Sequence, residues 1–287
     1  MKVKIIVFSQ TKNTGQIAQA IAAGITNKHA EVEILDWLRI KDAPPESILA
    51  DCDLIGIGSP VFFYQAPFCI RDWLRRFPAA HERPYFLFAS YGVVAGTIFR
   101  DMDDILRKKG WQLLGHKAFL GFGSYQGYLD FPRLSVQFPD AYEEMSARQF
   151  GEFQVIKQVC WNNNKRNFLE RPAQAPWFWR RKKLMLTKGI VNAIHPKFTL
   201  DDKKCIGCGT CARNCPEGAI TLVGKKPVFK GNCSRCYFCQ KNCAQSAITA
   251  DWAGLKKHVA KLYAAYPDHL KYSDELREYY TKHPRHR

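Results

Sequence analysis

Eight of the chain's eleven cysteines fall in two runs, Cys205-x2-Cys208-x2-Cys211-x3-Cys215-Pro216 and Cys233-x2-Cys236-x2-Cys239-x3-Cys243. Thiolates at i, i+3 and i+6 on one tight loop can hold three corners of an iron–sulfur cubane, while the fourth cysteine of each run lies too far along and reaches the other cluster. The expected ligand sets are Cys205, Cys208, Cys211 and Cys243 for one [4Fe–4S] cluster, and Cys233, Cys236, Cys239 and Cys215 for a second. Such groups exchange single electrons.

The two runs repeat at an offset of 28 residues: Cys-x2-Cys-x2-Cys-x2-Asn-Cys-x3-Ala-Ile-Thr reads at 205–221 and again at 233–249. A repeat of this kind implies a pseudo-twofold unit. Zinc is the rival reading, but structural zinc sites combine two CxxC pairs rather than three cysteines in seven residues and a distant fourth. Disulfides suit neither the short spacings nor a chain with no secretory signature. The second run ends Cys243-Ala244, so it lacks the rigid proline that follows Cys215. Cys52, Cys69 and Cys160 stand outside any motif and read as ordinary thiols. The Asn232-Cys233-Ser234 sequon places an expected ligand at its middle residue and is read as accidental.

At 287 residues and 46% hydrophobic, the chain can bury a sizeable core and divide into two domains. Its charge is uneven: residues 1–150 hold 17 Lys+Arg against 16 Asp+Glu, and residues 151–287 hold 26 against 10. Two clusters with four thiolates each would return about four negative charges and leave the second half cationic. An acidic protein, an anionic membrane surface and nucleic acid all satisfy that charge. The N-terminal apolar run Ile5-Ile6-Val7-Phe8 is too short for a signal peptide, and no stretch approaches the ~20 apolar residues of a membrane span. A soluble, cytoplasmic protein is expected.

The N-terminal half alternates strand and helix signals. Strands are expected at Val3–Phe8, Glu31–Leu35, Asp53–Gly58, Tyr85–Ala89 and Lys117–Gly121. Helices are expected after the first polar loop, with Ile17, Ile21 and Ile25 on one face, and over 67–77 and 97–109. Alternation of this kind predicts an α/β domain with a doubly wound parallel five-stranded sheet in the order 2-1-3-4-5, its ligand site outside the carboxyl ends of the strands. Three loops fall at that edge. Ser9-Gln10-Thr11-Lys12-Asn13-Thr14-Gly15 offers hydroxyls and helix-start N–H groups to a phosphate, or is simply a helix cap. It contains neither GxGxxG nor GxxxxGK[ST]. Gly58-Ser59-Pro60-Val61-Phe62-Phe63-Tyr64 and Ser90-Tyr91-Gly92-Val93-Val94-Ala95-Gly96 each set aromatic and small residues where a flat ring could be sandwiched. A glycine-rich segment, 121–128, follows the fifth strand at the same edge.

These loops resemble those of the flavodoxin family, whose [ST]-x-T-x-N-T phosphate loop is matched at Ser9 to Thr14. With the cysteine runs, the whole chain resembles flavodoxin–ferredoxin fusion proteins, over about 1–165 and 199–250. The resemblance implies a flavodoxin-like FMN domain at 1–165, a basic aromatic linker at 166–198, a small α+β two-cluster ferredoxin domain at 199–250 and a helical basic extension at 251–287. It implies that Ser9, Thr11, Asn13 and Thr14 bind the FMN phosphate. Lys12, at a position often glycine in the family, could add a charge to it. Ser59, Pro60, Val61, Phe62 and Tyr64, with Ser90, Tyr91, Gly92 and Gly96, would hold the isoalloxazine, Tyr91 stacking on one side and Phe62 or Tyr64 on the other.

The linker runs Trp177-Phe178-Trp179-Arg180-Arg181-Lys182-Lys183-Leu184-Met185-Leu186, which is too apolar for a free tether and is expected to pack against one or both domains. A membrane-interface role is the competing reading. No histidine, acid or nucleophile forms a catalytic constellation. The expected function is electron transfer between FMN, two [4Fe–4S] clusters and an acidic redox partner such as a ferredoxin, a flavodoxin or a client metalloenzyme. A membrane-associated quinone or small-molecule reductase, and a nucleic-acid binder with structural clusters, are the alternatives.

Overall fold

The structure, a computed structural model, describes residues 1–92, 94–122, 139–174, 177–257 and 260. In chain order the N-terminal elements are β1 (Lys2–Val7), α1 (Asn13–Asn27), β2 (Glu31–Asp36), α2 (Trp37–Ile40), α3 (Pro45–Leu49), β3 (Leu54–Pro60), α4 (Phe68–Arg75), β4 (Pro84–Tyr91), α5 (Ile98–Arg107), β5 (Gln112–Leu120) and α6 (Ala141–Asn162). The five strands pair in parallel in the order β2-β1-β3-β4-β5, the flavodoxin-like doubly wound order.

Period-two alternation decides which side each strand residue serves. Val3, Ile5 and Val7 face a core shared with Ile17, Ile21 and Ile25 of α1. Ile6 and Phe8 face the opposite core, with Trp37, Trp73 and Trp111. β3 and β4 lie inside the sheet and are buried almost end to end, so both read as unbroken apolar runs. β5 is longer than the expected Lys117–Gly121, because Leu113 and Leu114 already pack in the two cores.

The 22-residue α6 was not among the expected helices. It lies across α1, and the two backbones touch at glycines: a Cβ on Gly24 would strike the Arg148 carbonyl, and one on Gly151 would strike that of Ile21.

The second half comprises α7 (Trp177–Met185), α8 (Lys188–Ile194), β6 (Phe198–Leu200), α9 (Thr210–Arg213), β7 (Ile220–Val223), β8 (Lys226–Phe229), α10 (Phe238–Lys241) and β9 (Ile248–Ala250). Its repeat is visible in the backbone. α9 recurs 28 residues later as α10, and β6 pairs with β9 as β7 pairs with β8, all antiparallel. Left-handed residues recur at the same offset: Gly207, Gly209 and Gly218 in the first half are answered by Arg235, Tyr237 and Ser246 in the second. The fold needs those three conformations in each half, and the second half meets them with side chains that cost roughly 1 kcal/mol apiece.

The expected linker is helical and in contact with both sides. Lys183 is ion-paired with buried Asp101, Gln65 Nε2 donates to the Leu186 carbonyl at 2.9 Å, and Lys188 is ion-paired with Glu217. Of the expected extension 251–287, residues 253–257 are helical, and 258–259 and 261–287 lie outside the described residues.

Candidate functional site

Because the strands are parallel, the chain leaves β1, β3, β4 and β5 at one edge of the sheet, and there the first loop is tied to its neighbours. Thr14 Oγ1 and Ser90 Oγ, both buried, share a 2.7 Å hydrogen bond. Asn13 Nδ2 donates to the Phe122 carbonyl at 2.8 Å, and Ser9 Oγ accepts from the Gly15 amide at 3.1 Å. A Cβ on Gly121 would meet Asn13 and Ser90 at 3.3 and 3.4 Å, so three loops converge on that glycine. Lys12, exposed, precedes α1 in the left-handed region with φ of 68°, the conformation that makes glycine the usual occupant. Thr11 is half-buried beside it.

The second loop is a tight turn in which Phe62 and Gln65 bridge, and Phe63 and Tyr64 both take positive φ. That turn sorts its aromatics. Phe62 packs edge-on against Phe8 at 6.0 Å, Phe63 meets His195 at 4.7 Å, and Tyr64 holds the loops together through its carbonyl, which accepts from Thr97 N at 2.8 Å. Gly96, φ 61°, lies on the same carbonyl so closely that a Cβ would not fit. Val61 joins the core below, and its amide donates to the Ser90 carbonyl at 3.0 Å. Ser59 is fully buried and donates to the Pro60 carbonyl. Tyr91 ends β4 at the edge and Gly92 follows it, both half-buried, with the Tyr91 carbonyl accepting from Gly121 N. Residues 93 and 123–128 lie outside the described residues.

In the second half, Cys215, Cys233, Cys236 and Cys239 line one cavity together with Phe198, Ile220 and Tyr237. Cys205 and Cys208 both lie within electrostatic reach of Cys211, which shares its small core with Cys243. Among the described residues no group of three or more His, Cys, Asp or Glu is arranged to hold a single metal ion. Backbone amides point at sulfur in repeat-related pairs: Ala219 N to Cys215 Sγ at 3.2 Å and Ala247 N to Cys243 Sγ at 3.3 Å, with Arg235 N to Cys233 Sγ at 3.4 Å besides.

Burial pushes the Cys236 thiol up to about 11 and Cys239 further, neighbouring thiols adding to the latter. Cys208, in solvent, moves the other way, lowered by the Thr210 hydroxyl and amide and by Arg213.

The two sets of residues meet. Gln10, in the first loop, has a buried Nε2 with no well-formed hydrogen bond; the group it acts on is Cys236, whose charged form it favours. His195, beside Phe63, is held down to about 4 by burial and by Arg235. Gln10, Phe63 and Gln65 were not legible as functional from sequence, since each acts across more than a hundred residues; the sole signal was their place in edge loops.

Residues 198–221 match the family described as 4Fe-4S binding domain. The uncharacterized protein MJ0298 of Methanocaldococcus jannaschii is 25% identical over 142 residues, covering 49% of this chain and 89% of that one. F(420)H(2) dehydrogenase subunit I of Methanosarcina mazei is 58% identical over 33 residues, 12% of this chain and 18% of that subunit. An archaeal flavodoxin structure overlays 55% of this chain and 99% of its own with a TM-score of 0.42 and 18% identity. Among the described residues no helix is long and apolar enough to cross a membrane.

Proposed function

We propose that this chain, a flavodoxin-like domain joined to a 4Fe-4S-type segment, transfers electrons by holding FMN at the loop edge and two [4Fe–4S] clusters on the crossed cysteine sets. When bound, FMN supplies chemistry in one- or two-electron steps and each cluster in single electrons, so their combination couples the two. The observation that carries this reading is that Cys215, from the first run, lines one cavity with Cys233, Cys236 and Cys239 of the second, the crossed set a four-thiolate cluster would use.

The residues fit these groups. Around the cavity, Cys215, Cys233, Cys236 and Cys239 supply the thiolates, and the amides of Ala219 and Arg235 supply N–H donors to sulfur of the kind that tune a cluster. Cys205, Cys208, Cys211 and Cys243 form the second set. At the loop edge, the residues around the start of α1 offer donors to a phosphate, Lys12 adds positive charge, and Tyr91 and Tyr64 are the aromatics we assign to the ring. The Thr14–Ser90 bond fixes the loops that would flank the flavin. Acidic redox proteins are the partners the cationic half would select.

The test is release of flavin on denaturation and the visible spectrum on anaerobic photoreduction. FMN and bleaching of a broad cluster absorbance support the reading; FAD, or a spectrum indifferent to reduction, contradicts it.

A second reading, contact with a membrane surface, draws on α7, where Trp177, Leu184 and Met185 are 71%, 78% and 64% exposed beside Arg180 and Arg181. Sedimentation with anionic vesicles tests it.

A further inference from the structure

The rest of the chain treats the two halves of the cysteine repeat differently. Around Cys236, Ser234, Arg235, Tyr237 and Phe238 are all buried. Their cover comes from the linker and from the segment C-terminal to the repeat: Arg235 Nε donates to Asn192 Oδ1 at 2.8 Å, the Tyr237 hydroxyl to the Pro196 carbonyl at 2.7 Å, and Trp252 lies 4.3 Å from the Tyr237 ring. Twenty-eight residues earlier, the equivalent loop is more open. Cys208 is exposed, and Ile206, the counterpart of Ser234, is 64% exposed. A serine thus sits where the surface is sealed and an isoleucine where it is open, the reverse of what burial alone would select.

The open loop is not isolated. Gly207 lies against the Lys225 side chain and Gly209 against Leu222, so loop 205–210 and the tip of the β7–β8 hairpin form one face. Leu222, on the side that meets Gly209, is 40% exposed. Lys203 and Lys204, just before the loop in the chain, and Lys225, against Gly207, are exposed. The nearby acids are already engaged, Asp201 by Lys204 and Asp202 by Lys226, and neither Lys203 nor Lys225 forms an ion pair among the described residues.

We propose that this face, with Ile206 and Leu222 at its centre and Lys203, Lys204 and Lys225 at its rim, is the docking surface for an acidic single-electron carrier protein. The carrier seats on loop 205–210 as α8 and its neighbours seat on loop 233–238. One electron passes between carrier and chain at the Cys208 edge; what one gains the other loses, and no bond is made or broken. Charge complementarity selects the acidic partner, the apolar centre excludes water from the contact, and the opposite end of the repeat, at Cys236, is already occupied by the chain itself. The proposal rests on the cluster reading above.

The test uses the full, cluster-loaded chain and, as probe, a purified acidic plant-type [2Fe–2S] ferredoxin, with affinity measured at low and moderate salt. Wild type should bind, more weakly as salt rises. K203E/K225E should weaken binding by about tenfold or more, while R180E/R181E on α7 should stay within about twofold. Carbodiimide cross-linking of wild type should place the probe's carboxylates on Lys203, Lys204 or Lys225, which keeps the proposal testable if a variant fails to fold. No binding by loaded wild type, equal loss in the α7 variant, or cross-links confined to α7 would overturn the docking face. Loss of anionic-vesicle binding in K203E/K225E, with probe binding intact, would also overturn it. Iron, sulfide and flavin content of each preparation separates the two levels: missing cofactors sink the underlying reading, whereas normal cofactors with indifferent binding sink only the face.

Discussion

At the scale of single residues, the site depends on polar atoms that satisfy one another. Thr14 and Ser90 are both buried and share a hydroxyl–hydroxyl bond, so either alanine substitution strands its partner. T14A and S90A should each cost about 1–2 kcal/mol in chemical denaturation, and the double variant less than the sum, because removing both partners leaves nothing unpaired. Additive losses would show that the hydroxyls serve separate partners. The cysteine assignment is equally local. C215S should abolish the cluster built on Cys233, Cys236 and Cys239 and spare the other, while C211S does the reverse; identical electron paramagnetic resonance spectra from the two variants would contradict the crossing. The ligand sets could be proposed from sequence because thiolate spacing on one loop is a local property. The role of Gln10 could not, since it depends on where residue 236 comes to rest.

At the scale of elements, strand positions followed from apolar runs between turns, whereas α6 left no clear helical stripe. Its buried side includes Ala147, Phe150, Gln154, Val155 and Trp161, but Met145, Phe153, Ile156 and Val159 are exposed, so apolar residues occur around most of its circumference and blur the period. What fixes α6 is contact with α1 at Gly24 and Gly151, which no pattern within either helix reports. Alanine at Gly24 should destabilise the N-terminal domain by about 1–3 kcal/mol despite its better helix propensity, because a backbone carbonyl must move. A thermal midpoint at or above wild type would refute that packing.

The far end of α6 is clamped by Glu170, which pairs with Lys157 at 2.6 Å and with His116 at 2.8 Å. Burial works against the charged carboxylate there, but the His116 and Lys157 hydrogen bonds outweigh it and lower Glu170 to about 2. A depressed carboxyl stabilises the fold above its unfolded value, near 4.3, and loses that contribution as pH falls toward 2. E170Q should therefore cost up to about 1 kcal/mol at neutral pH, discounted because the group is about a third exposed, and little near pH 2. A loss that persists unchanged at pH 2 would show that the effect is not electrostatic.

At the scale of the whole molecule, charge and cover are distributed to the same end. The N-terminal domain is nearly neutral and packs Phe63 of its second loop against His195 of the linker, while in the cationic half Cys208 of the first run is exposed. The linker was expected to dock because it is apolar, yet Trp177, Leu184 and Met185 are exposed and the contacts with Asp101, Gln65 and Glu217 are polar, which its composition did not report. The central claim is that one chain carries one flavin and two clusters. Quantifying iron, acid-labile sulfide and flavin in the anaerobically purified protein tests it most directly. The account requires about eight iron, about eight sulfide and about one FMN per chain; zinc without sulfide, or about four iron with both cysteine runs intact, would contradict it.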